Sequence, residues 1–149
     1  MSTFTDKNDK EYIEVLYNEC YGGFGISKEA LALYNKKLLE RNSTAEIKKD
    51  CYFFNRTDPI LLEVYHEMDG GSSNQGEGFN RSSSKIIIDK IQKIYKDYYV
   101  ISEYDGQETV NVDYNRFELK EIKRIANDEN LSFEERIKQI QEFKVDYDF

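Results

Sequence analysis

The hydrophobic positions of this chain change period along its length. Tyr12, Ile13, Val15, Leu16 and Tyr17 form a β-prone run that stops at Tyr21-Gly22-Gly23-Phe24-Gly25, which predicts a first strand ending in a glycine turn. Leu31, Tyr34 and Leu38 then recur at helical spacing behind Ser27 as N-cap, so a helix is expected over about Lys28 to Glu40. Cys51-Tyr52-Phe53-Phe54 reads as a short buried strand. Asp58 as N-cap with Pro59 at the first helical position opens a second helix, about Pro59 to Met68. From Asp69 to Ser84 the chain holds four glycines and five serines, and a mobile loop is expected. Ile86, Ile87, Ile88 and Ile91 restart a strand, and Tyr98 to Tyr104 forms another. Asp105-Gly106 is a type I′ hairpin signal whose register sets Ile101 opposite Val110 and Tyr99 opposite Val112. Two amphipathic helices follow, Phe117 to Asn127 and Phe133 to Phe143, the latter with Ser132 and Glu135 as a capping box.

The order β-α-β-α-β-β-β-α-α predicts an α+β fold with an α/β-like start: one mixed sheet of about five strands, opened by a right-handed parallel β-α-β unit, with helices packed on it. The 149 residues match a single domain, residues 1–10 being polar enough for a flexible N-terminus.

Charge narrows the partners. Asp and Glu total 29 against 21 Lys and Arg, for a net charge of −8, and the excess is spread along the chain. A duplex-binding protein needs a basic face, so no duplex nucleic acid is expected. The apolar runs are too short to span a bilayer, the first ten residues are polar, and Cys20 and Cys51 stand alone. These features predict an intracellular protein with reduced thiols and no membrane partner.

The candidate chemistry centres on the glycine turn. Three glycines in four positions let backbone amides approach a ligand, and the helix start behind Ser27 adds free N–H groups and partial positive charge. A small anion is the expected guest, held by Tyr21, Gly22, Gly23, Phe24, Gly25 and Ser27. The alternative is a turn needed only for close packing. In a parallel arrangement Arg56 reaches the same edge, its competing role being an ion pair with Asp58 or Glu63; Arg81 in the serine-rich loop can fold over the ligand as a lid, its competing role being a solvated arginine on a flexible loop. The turn lacks a P-loop lysine and the spacing of a dinucleotide fingerprint. Cys20 lacks the arginine six residues on that a phosphatase loop requires. His66, the only histidine, has no spaced zinc partner. Glu103 falls opposite Glu108 at the hairpin tip, an unfavourable pairing unless a cation or a basic group lies between them. Exposed carboxylates are the simpler reading, and no metal or cofactor is expected.

Asn18-Glu19-Cys20-Tyr21-Gly22-Gly23-Phe24-Gly25-Ile26-Ser27-Lys28-Glu29-Ala30, Arg56-Thr57-Asp58-Pro59 and Ile101-Ser102-Glu103-Tyr104-Asp105-Gly106 resemble a family of uncharacterised small proteins from phages and large DNA viruses. The resemblance implies a viral or phage-like source and action in host cytoplasm, and it implies no activity. The abundance of Ile, Lys, Asn and Tyr, typical of AT-rich coding DNA, agrees with it.

With no catalytic set in view, the expected function is non-catalytic: sequestration of a small phosphorylated metabolite or nucleotide signal, in the service of viral counter-defence. The alternatives are a protein-interaction or structural viral protein, and a metal-dependent phosphodiesterase using the hairpin carboxylates. A homo-oligomer is expected, covering the hairpin edge.

Overall fold

A computed structural model describes residues 3–5 and 10–147. The flexible segment expected over 1–10 lies outside the described residues except at Thr3–Thr5, which form strand β1, and at Lys10.

Strand β2 (Glu11–Asn18) is buried on both faces, and this decides the architecture. It pairs antiparallel with β1 on one side and with β3 (Ile86–Gln92) on the other, Ile13 facing Ile91 and Leu16 facing Ile88. Leu16 and Ile86 turn toward helices α1 (Lys28–Arg41) and α2 (Pro59–Glu67), forming a core with Phe24, Ile26, Tyr34, Leu61, Leu62 and Phe79. Ile13, Val15 and Ile91 turn the other way, under Tyr99, Ile101, Val110 and Val112 of the hairpin β4 (Tyr99–Tyr104) and β5 (Gln107–Val112). The sheet is thus a middle layer between a helical pair and a hairpin. Helices α3 (Tyr114–Ala126) and α4 (Phe133–Glu142) join through aromatics, Tyr95 meeting Phe117 edge-on at 4.8 Å.

The single mixed sheet is therefore not what forms: among the described residues the fold is α+β with four α-helices, and its strands divide between two small antiparallel sheets. The expected parallel partner, Cys51 to Phe54, is not a strand. The Asp50 carboxylate accepts from the amides of both Tyr52 and Phe53 at 2.9 Å, bending the backbone out of reach of a ladder and leaving Phe53 76% exposed. Those two amides also hold the Asp50 carboxyl below its ordinary pKa. Without that strand, the described residues form no right-handed β-α-β unit and no shared carboxyl edge.

Local signals hold better. Ser27, Asp58 and Ser132 cap α1, α2 and α4 through Ala30, Ile60 and Glu135 amides, and the hairpin register is the expected one. Helix α3 begins earlier than expected because Asp113 caps it at Arg116. Within the glycine- and serine-rich stretch 69–84, Phe79 is fully buried and its carbonyl accepts from the Ser27 amide.

The α2 cap also explains a buried phenol. Tyr34 is pushed well above its ordinary pKa, first by burial and then by its 2.6 Å hydrogen bond to Asp58. Burial, with Glu14 nearby, pushes Tyr65 up to about 12. Both phenols have an ordinary value of 10.0, so the unfolded chain ionises first as pH rises. Their contribution is fully present below about pH 10 and is lost as pH climbs toward the folded values. Urea midpoints taken across that range are expected to hold steady below about pH 10 and fall above it.

Candidate functional site

The glycine turn after β2 is a packing node. A methyl group on Gly22 would stand 1.6 Å from the Ser83 carbonyl oxygen, and one on Gly25 would stand 2.4 Å from Arg81 Nε. Gly106 of the hairpin tip, at φ +87°, packs so closely that its Cβ would meet the Tyr21 oxygen at 2.1 Å. The turn mostly presents carbonyls to residues 81–84. The Gly22 oxygen accepts from Arg81, the Gly23 oxygen from the Ser84 hydroxyl, and the Gly25 oxygen from the Arg81 amide. Downstream, the amides of Ile26 and Ser27 are spent on Cys51 and Phe79 carbonyls. Tyr21 is 63% exposed, and Phe24 is buried.

Arg56 does not serve the turn as an anion contact. Its two terminal nitrogens bond the two oxygens of Glu108 at 2.6 and 2.8 Å, a bidentate pair, and its guanidinium lies 3.6 Å over the Phe24 ring. Leu16 donates its amide to the Arg56 carbonyl, and Asn18 donates its own to Glu108, so the pair fastens helical layer, sheet and hairpin together. Neither Asp58 nor Glu63 is the partner. The node also resolves the two facing acids: Glu108 turns inward to Arg56, while Glu103 caps the Gly106 amide. The hairpin carboxylates are thereby committed to structure, and among the described residues no group of three His, Cys, Asp or Glu could hold a metal. Cys20 and Cys51 are free, part-buried and outside the strands; the Cys20 thiol donates to the Ser83 carbonyl at 3.1 Å.

What remains of the expected site is Ser27 and Arg81, which line one cleft of about 300 Å³ at the start of α1 together with Lys28, Glu29, Tyr52 and Ser82. Arg81 is laid over Gly25, with its guanidinium 4.6 Å from the Tyr52 ring centre and one terminal nitrogen 3.1 Å from the Gly22 oxygen. Its Nε is buried and has no hydrogen-bond partner. Ser27 is already engaged, donating to the Gly78 carbonyl at 2.7 Å while capping Ala30. Two cations face one carboxylate in the lining, with the positive end of a 14-residue helix behind them. Sequence reading missed Tyr52, assigned to a strand, and Lys28, whose position directly after the N-cap was the available signal. The chain matches no protein-family model, no curated protein and no solved structure.

Proposed function

We propose that the protein binds, without chemical conversion, a small molecule carrying a phosphate or comparable anionic group in the cleft at the start of α1. The observation that carries this reading is Arg81: an arginine laid against Tyr52 at a helix start, with a buried Nε–H that lacks an acceptor. An oxyanion placed there receives charge-assisted donors, and the Tyr52 face offers stacking to an attached ring. Sequestration of a nucleotide-type signal in host cytoplasm, as a viral counter-defence, fits this site and rests on the resemblance to phage and viral proteins. Calorimetry against nucleotides, cyclic dinucleotides and ADP-ribose derivatives tests it. Arg81→Ala is expected to weaken the responding ligand by about 1.5–3 kcal/mol, roughly 10- to 150-fold, with the fold intact. Absence of binding by every phosphorylated compound rejects the reading.

A second reading, an interaction protein, is favoured by the exposure of Phe53, Tyr104 and Phe133, each above 70%. Self-association is the simplest form of it. Light scattering at tens of micromolar is expected to give an oligomer's mass, and a strict monomer removes that form.

A further inference from the structure

Glu14 lies in the middle of β2 with 2% of its side chain exposed, opposite Lys90 in the strand register. Its two oxygens stand 3.0 and 3.1 Å from Nε2 of His66, on the flank of α2. A carboxylate in the middle layer of a small core carries a desolvation cost that a leucine would not, so packing alone does not account for it. Its effect on the imidazole is specific. In the neutral ring the hydrogen sits on Nε2, donated to Glu14, and the lone pair is left on Nδ1. The His66 side chain is 52% exposed and borders a hollow of about 320 Å³ that Tyr65, Asp69, Ser72 and Ile88 also line. Asp69 is held at φ 50°, in the left-handed region that non-glycine residues rarely adopt. The lining of the hollow holds the Asp69 carboxylate and no lysine or arginine, so it does not suit the anions expected at Arg81.

We propose that this hollow is a second, reactive site in which His66, positioned by Glu14, transfers the acyl group of small uncharged carboxylic esters to water. In the first step His66 Nδ1 forms a bond to the acyl carbon, the ester C–O bond breaks, and the alcohol oxygen leaves with the bonding pair. The ring is then an acyl-imidazolium whose Nε2–H remains on Glu14. Water adds its oxygen to the acyl carbon, the C–N bond returns its electron pair to Nδ1, and one water proton passes to the leaving oxygen while the other stays on the new carboxyl group. Ester and water become acid and alcohol, and the ring is restored. The Tyr65 ring packs edge-on against the imidazole at 5.5 Å and fixes its plane beside the hollow.

The test uses p-nitrophenyl acetate with the full chain, reading p-nitrophenolate release and acetylation of the intact protein mapped by mass spectrometry. Release above buffer and an acetyl group on His66 are expected, both absent in His66→Gln. Glu14→Gln, of the same shape, is expected to slow release about 10- to 100-fold. In the wild type, nitrogen chemical shifts of the one imidazole are expected to report the Nε2–H tautomer, and in Glu14→Gln that preference is lost. A wild-type rate equal to that of His66→Gln, or acetylation confined to lysines, overturns the proposal. Should Glu14→Gln fail to fold, the half-exposed His66 exchange and the wild-type tautomer still decide it, the other tautomer counting against. The site shares no residue with the Arg81 cleft, so either can fail alone.

Discussion

Arg56→Ala is expected to destabilise the protein by about 3–5 kcal/mol, the loss that follows when one partner of a buried ion pair is removed. The Glu108 side chain is only 8% exposed, and Asn18 alone would then remain as donor to it. The same change strips the guanidinium from the Phe24 face, so three layers lose their common fastening. Urea unfolding followed by circular dichroism reads the effect. Replacing both partners with apolar residues, Arg56→Met with Glu108→Leu, is expected to recover much of the loss, because no unpaired charge is left in the interior. A stable Arg56→Ala protein with weakened anion binding would instead return Arg56 to a ligand site.

Phe79→Ala is expected to cost about 3–5 kcal/mol as well, through lost burial and the cavity left behind. Phe79 is fully buried and meets the Tyr65 ring edge-on at 5.1 Å. It is also the anchor of the segment that delivers Arg81. Its carbonyl accepts from Ser27, and its neighbour Asn80 bridges to Ile26 and accepts from the Ile86 amide. The variant is therefore expected to lose anion affinity along with stability, whereas Arg81→Ala, which gives up one bond to the Gly22 oxygen and the Tyr52 contact, loses affinity with a much smaller loss of stability. Calorimetry and urea unfolding on the two variants separate an anchored site from a loose loop.

These contrasts also show what could be read from the chain beforehand. Helix starts were legible because Ser27, Asp58 and Ser132 act within three residues of themselves, and the β4–β5 register because a two-residue turn dictates it. Cys51 to Phe54 misled because apolar runs do not announce that a neighbouring Asp50 side chain will take their amides. The place of Arg56 was illegible for another reason: its partner is 52 residues away, and parallel or antiparallel pairing of β2 decides whether the two can meet. Glycines after a strand signal close approach of something. Here the something is the chain itself, at Ser83, Arg81 and the hairpin tip.

The position of β2 between two cores has a consequence for how the molecule comes into being. It precedes much of the chain that surrounds it, since β3 and the hairpin start only at Ile86 and Tyr99. The Leu16 face meets α1 and α2, which follow directly, whereas the face carrying Ile13 and Val15 must wait for the hairpin, and closing such a long loop is entropically slow. Until the hairpin is made, that face is a sticky, uncovered surface that chaperones are expected to engage.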